Sequence, residues 1–281
     1  LPAAAFACAQ GLALSYVGRT AANRVRAREL LNRALEQDPL LEEAYEGLAR
    51  VALSERDWEG ASASFERGLA LDRGYVPFWL GRAKARLAAG TAAMGRGADP
   101  ITLYAGAMAD FGKALELDPE SSDAPLGRGN VGLNWALYKN GRGDDPGPLC
   151  AGAVADFDKA VELAPARAAA WIGRGLVRAN WGWYLANEGG NPVEHYRAAE
   201  ADYGAALERE PEERQAWTWR GNVRMNWGQW QMTHGEDPMP SFAGAIEDLT
   251  RAIQLNPAWH EARMRRGMAR GLAGLEQSSA G

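Results

Sequence analysis

One motif returns at a fixed interval, and it confines this chain to a repeat architecture. The pattern Ala-x-x-Asp-(Phe/Tyr)-x-x-Ala-(Leu/Ile/Val)-x-x-x-Pro runs from Ala107 to Pro119, Ala153 to Pro165, Ala199 to Pro211 and, with Leu249 at the aromatic position, Ala245 to Pro257. The closing prolines lie 46 residues apart each time. One more step back falls on Arg73, which ends a diverged copy at Ala61 to Asp72; a step of 34 residues then reaches Pro39, which ends Ala27 to Asp38. A unit of this size cannot bury its apolar face alone, so it stacks on its neighbours to build one continuous core. The length of 281 residues would otherwise suggest two ordinary domains; the repeat predicts a single solenoid domain over 1–281 instead.

The segment Ala44-Tyr45-x2-Leu48-Ala49-x8-Trp58-x2-Ala61-x3-Phe65-x2-Gly68-Leu69 resembles the tetratricopeptide repeat, a helix–turn–helix unit. The resemblance covers nearly the whole chain. It implies an all-α, right-handed superhelical solenoid of antiparallel helix pairs, about six repeats with a C-terminal capping helix. The expected division is a diverged first repeat at 1–39, a 34-residue repeat at 40–73, 46-residue repeats at 74–119, 120–165, 166–211 and 212–257, and a closing helix and tail at 258–281. In the long units helix A is expected to begin near Trp79, Pro125, Trp171 and Trp217, and the closing helix to run from Ala258 to Glu276. Between helices A and B stand Gly97-Ala-Asp99-Pro100, Gly143-Asp-Asp145-Pro146, Gly190-Asn191-Pro192 and Gly235-Glu-Asp237-Pro238. Glycine tolerates the left-handed end of a helix, Asp or Asn caps the next one, and proline fits its first position. The 12 residues added to each long unit therefore predict two lengthened helices joined by a short capped turn.

Columns of equivalent positions separate scaffold from candidate site. Gly129, Gly175, Gly221 and Gly267 in helix A and Ala107, Ala153, Ala199 and Ala245 in helix B mark close helix contact. Trp135, Trp181 and Trp227 are expected to cover the longer helix B. Arg82, Arg128, Arg174 and Arg220 each precede an Asp by 28 residues: Asp110, Asp156, Asp202 and Asp248. The short unit lacks both partners, with Leu48 and Ser64 in their places, so four structural Arg–Asp pairs are expected. Arg266 has no Asp to follow it, and a second column, Arg86, Arg178, Arg224 and Arg270, shows no partner in the sequence. In the resembled family helix A lines a concave groove where Asn holds an extended peptide. On that resemblance Lys84, Asn130, Asn134, Asn180, Asn222 and Asn226 are the candidate peptide-groove residues; an amide both donates and accepts. The family's carboxylate clamp is matched in type only at Lys84 and Asn130.

Other signals resolve into scaffold. Gly127-Arg-Gly-Asn-Val-Gly132 has the spacing of a dinucleotide fingerprint but falls inside helix A, not after a strand. Arg142-Gly143-Asp144 is an interhelical turn. His195, His234 and His260 sit in three different columns without metal-ligand spacing, and Cys8 and Cys150 have no recurring base partner, so no metal, cofactor or catalytic residue is expected and the chain is read as not an enzyme. With 31 Lys and Arg against 36 Asp and Glu, the net charge of −5 argues against a nucleic-acid or anionic-membrane partner. Residues 1–18 are uncharged, and Ala5-Phe6-Ala7-Cys8 loosely resembles a bacterial lipidation site, but no basic leader precedes it; a first amphipathic helix is expected.

The function expected is a cytoplasmic, non-enzymatic scaffold that binds a protein or peptide, extended or helical, in its groove. Two alternatives stand beside it. One is the sensory region of a larger bacterial signalling enzyme such as a Ser/Thr kinase, covalently linked to a further domain; the Leu start and unfinished last repeat fit a fragment. The other is a periplasmic lipoprotein that binds a small solute.

Overall fold

The computed structural model describes residues 3–17 and 20–279. Residues 1, 2 and 18 of the uncharged N-terminal stretch lie outside the described residues. All regular structure among the described residues is α-helical. The chain groups into two compact units, 1–131 and 132–281, with the division inside one helix. The first unit holds α1 (Ala3–Val17), α2 (Ala21–Gln37), α3 (Glu42–Ser54), α4 (Trp58–Leu71), α5 (Val76–Gly95), α6 (Ile101–Leu117) and the start of α7 (Asp123–Gly141). The second holds the rest of α7, then α8 (Gly147–Leu163), α9 (Ala168–Asn187), α10 (Val193–Arg209), α11 (Arg214–Thr233), α12 (Met239–Leu255) and α13 (His260–Ser279). Within each unit successive helices pack in pairs, and helix A of one repeat also touches helix A of the next, as α1 on α3 and α9 on α11 and α11 on α13. Helix α1 turns Ala4, Ala7 and Cys8 inward and leaves Phe6 and Tyr16 exposed.

The 12 extra residues are shared unevenly. Helix A grows from 13 residues in α3 to 20 in α9, helix B from 14 in α4 to 17 in α10, and the turn takes the other two. Seven residues are about two helical turns, or ~10 Å of added length. Helix A begins about three residues before the Trp column, and the indole serves as a tether instead: Trp79, Trp171 and Trp217 Nε1 donate to the carbonyls of Arg73, Pro165 and Pro211 at 2.8, 3.0 and 2.9 Å. Tyr45 Oη donates to Pro39 O at 3.1 Å in the same role in the short unit.

The A–B turn is one device repeated. Gly97, Gly143, Gly189 and Gly235 take φ of +73° to +77°. The glycine in the third of these turns is thus Gly189, one residue before the Gly190 of the sequence pattern. The next amide reaches back five residues, as Ala98 N to Ala93 O at 2.9 Å and Glu236 N to Gln231 O at 3.0 Å, closing a Schellman turn. Asp99, Asp145, Asn191 and Asp237 then accept from the amide two residues on, across the proline, at 2.8–2.9 Å. The closing helix starts at His260, two residues later than the sequence suggested.

Core packing in the extensions follows a notch-and-ring rule. A Cβ added at Gly90 would sit 2.5 Å from Tyr104, at Gly182 2.8 Å from Tyr196, and at Gly228 2.6 Å from Phe242. Where helix B carries the smaller Cys150, helix A carries Ala136, and both are buried. Burial pushes the Cys150 thiol up to about 12, so it is a packing residue and not a nucleophile at neutral pH.

Candidate functional site

The charged columns form buried ion triads. Arg82 grips Asp110 with two hydrogen bonds, Nε to Oδ2 at 3.0 Å and Nη2 to Oδ1 at 2.7 Å. Arg86, one turn on, donates to the same carboxylate at 2.7 Å. Arg174 and Arg178 meet Asp202 at 2.6 and 2.7 Å, and Arg220 and Arg224 meet Asp248 at 2.7 and 2.9 Å. The second Arg column, which showed no partner in the sequence, thus shares the Asp of the first: residues four apart lie on one helix face, and a carboxylate offers two oxygens. Asp110, Asp202 and Asp248 are nearly fully enclosed. Burial raises the Asp202 and Asp248 carboxyls above the ordinary range, and the paired guanidiniums pull them back. Arg128 belongs to the first unit and the buried Asp156 to the second.

A cavity of about 530 Å³ opens on one face of the second unit. Its walls come from helix A of successive repeats: Leu137 and Asn140 of α7, Asn180 and Trp183 of α9, Trp219, Asn222 and Asn226 of α11, and Glu261 and Arg265 of α13, with Tyr203 of α10 below. Three of the six candidate groove residues, Asn180, Asn222 and Asn226, therefore share one cavity. Asn134 belongs to the same unit outside its lining, while Lys84, which is exposed, and Asn130 belong to the first unit.

The cavity's polar groups are only partly spent on the fold, Arg265 Nη2 lying 3.8 Å from Glu261 Oε1. Among the described residues, Asn222 Oδ1, Tyr203 Oη and Arg265 Nε are buried without a hydrogen-bond partner. Asn180 gives one amide hydrogen to Leu176 O of its own helix at 2.9 Å. Burial, with the Asp202 carboxylate nearby, holds the Tyr203 phenol well above its ordinary range, so the hydroxyl remains a donor. An unpaired buried polar atom costs about 1–3 kcal/mol. Trp183 is 47 % exposed at the rim and offers an apolar platform.

Tyr203, Trp219 and Arg265 carried no functional reading in the sequence, yet a signal was there. Elsewhere an aromatic ring of helix B covers a glycine of the next helix A: a Cβ at Gly81 would lie 2.3 Å from Phe65, and one at Gly173 2.3 Å from Phe157. In the next copy Tyr203 faces Trp219, at 6.3 Å between ring centroids. A tight contact is replaced by two bulky rings and an added hydroxyl, and the cavity opens at that break in the column.

Among the described residues no group of three His, Cys, Asp or Glu is placed to hold a metal, and no helix is long and apolar enough to cross a membrane.

The sequence profile of the tetratricopeptide repeat family matches residues 193–226, from α10 into α11. No curated protein matches the chain. Solved structures with the same fold include PilW, a widely conserved type IV pilus biogenesis factor, at 16% identity and a TM-score of 0.58, covering 92% of this chain and 97% of that one. Pseudomonas aeruginosa pilF matches at 16% identity and a TM-score of 0.56, covering 94% and 99%. YrrB, a repeat protein of the same kind with an unusual peptide-binding site, matches at 20% identity and a TM-score of 0.50, covering 84% and 97%.

Proposed function

We propose, from the premise that this chain is a helical solenoid of tetratricopeptide repeats, that it is an interaction scaffold that takes an extended peptide into the cavity of its second unit. The observation that carries this reading is the sharing of one cavity by the side-chain amides of Asn180, Asn222 and Asn226, beside the exposed Trp183 platform. A peptide bond both donates and accepts, as a side-chain amide does, so the two are complementary. An apolar side chain of the same peptide covers Trp183. YrrB supplies a precedent for peptide binding on this fold. A protein partner agrees with the acidic net charge.

Selection of displayed peptides on the full chain tests this. The wild type is expected to enrich a peptide family whose affinity falls at least about tenfold in Asn222→Ala/Asn226→Ala, the range for losing partners of desolvated hydrogen bonds. Peptides that bind both proteins equally would overturn the assignment of the cavity.

A further inference from the structure

The cavity of the second unit carries its charge in one place. Asn140, Asn180, Asn222 and Asn226 line it with neutral amides, and Leu137, Leu176, Trp183 and Trp219 supply apolar surface. Among the described lining residues only Glu261 and Arg265 are charged. They stand one turn apart on α13, with Arg265 Nη2 3.8 Å from Glu261 Oε1 and the side chains 33 % and 44 % exposed for Arg265 and Glu261. The pair therefore adds one charge of each sign and no net charge. Neither member belongs to the repeat: the two preceding units place Ala169 and Gln215 at the position of Glu261, and Gly173 and Trp219 at that of Arg265. The repeat pattern itself thus calls for neither charge.

A self-neutralised pair turns away both signs. A carboxylate that approaches Arg265 meets Glu261 beside it, and an ammonium or guanidinium that approaches Glu261 meets Arg265. Either ion also gives up water against indoles and neutral amides, which replace its hydration poorly. An uncharged segment meets neither penalty, since its peptide groups pair with the amides and its apolar side chains cover the indoles. Building on the peptide reading above, we infer that the Glu261–Arg265 pair sets the charge selectivity of the cavity. The cavity takes an internal, uncharged, apolar-rich stretch of an extended chain, and it rejects a terminal carboxylate or a basic side chain.

An acetylated and amidated positional-scanning hexapeptide library, captured on the full chain, is the probe; fluorescence anisotropy then gives the affinities of enriched peptides. Cavity-facing positions are those whose preference Trp183→Ala erases. Leu, Phe, Tyr or Trp is expected there, and Asp, Glu, Lys or Arg is expected to weaken binding at least about tenfold. A free C-terminal carboxylate is expected to give no gain over the amide. Glu261→Gln is expected to raise the affinity of peptides with Asp, Glu or a free carboxylate at the cavity about tenfold, and Arg265→Gln that of peptides with Lys or Arg. Misfolding would weaken all peptides alike, so gains of opposite sign in the two variants report charge selection alone. A wild-type preference for a charged residue at the cavity, or variants that leave the charge preference unchanged, overturns this inference and leaves peptide binding standing. No enriched peptide, or peptides that Asn222→Ala/Asn226→Ala binds as well as the wild type, overturns both.

Discussion

The short repeat, α3 with α4, and the long repeat beside it, α5 with α6, solve the same packing problem with opposite chemistry. Where the long repeat holds Arg82, Arg86 and Asp110, the short one has Leu48, Ala52 and Ser64. Leu48 packs with Leu31 and Ala44, Ala52 is buried, and Ser64 turns its hydroxyl onto Gly60 O of its own helix at 2.8 Å. Both helix pairs close, so the triad is not a requirement of the fold. It is a commitment: once one member is present, the others are needed to keep a buried charge compensated.

The largest effect follows from that asymmetry. Asp110→Ser alone strands two guanidiniums against a packed interface and is expected to cost about 3 kcal/mol, the lower end for breaking a buried ion pair because Arg86 keeps some solvent. The triple change Arg82→Leu/Arg86→Ala/Asp110→Ser writes the short repeat's chemistry into the long one and is expected to cost less than about 1 kcal/mol, as apolar replacement of a whole buried ion set often does. Hydrogen exchange of the α5 and α6 amides reads both, since stability in a stacked array is local. A triple variant as unstable as the single one would show that the triad is not interchangeable with the Leu48 solution.

The turns sharpen the comparison at smaller scale. The short repeat closes the same Schellman turn, Asp57 N to Ala52 O at 2.9 Å, but places Arg56 at φ +60° where the long repeats use glycine. A left-handed non-glycine residue costs about 1–2 kcal/mol. Arg56→Gly is expected to stabilise the short repeat by about 1 kcal/mol, and Gly97→Arg to destabilise the long one by a similar amount. Denaturation midpoints that move the same way for both would refute the shared turn.

The smallest effect concerns pH. His195 packs tilted against Trp181 at 4.4 Å between ring centroids, and burial, with Arg178 nearby, lowers its affinity for a proton against the opposing pull of Glu194. A folded-state pKa below the unfolded value of 6.5 means that the unfolded chain takes up the proton first, so stability falls as pH drops below 6.5. A modest drop in the melting midpoint of the long repeat between pH 7.5 and 5.5, absent in His195→Gln, checks this.

The fold was legible because its signals are periodic. Four copies of one motif in register outweigh the ambiguity of any single copy, and the glycine, capping residue and proline locate the turns within a residue. The start of helix A was not, because Tyr75 and Arg167 cap α5 and α9 without any side-chain bond that sequence displays. The shared Asp of the two Arg columns was hidden because sequence counts residues and not oxygens. The cavity was hidden for a deeper reason. Column comparison rewards recurrence, and the cavity is made where recurrence fails, at Tyr203 facing Trp219. Asn222 and Asn226 were visible only because they also recur.

The closing of each turn, triad and indole tether over short stretches of chain has a consequence for how such a gene changes length. The 46-residue cassettes 74–119, 166–211 and 212–257, cut out or copied in frame, each carry their own Arg pair, Asp and turn glycine with them. The cut orphans no enclosed carboxylate, only the more exposed links such as Arg174 to Asp158. Splicing between closing prolines is therefore the least disruptive edit available to this chain, gentler than many a point substitution within a unit.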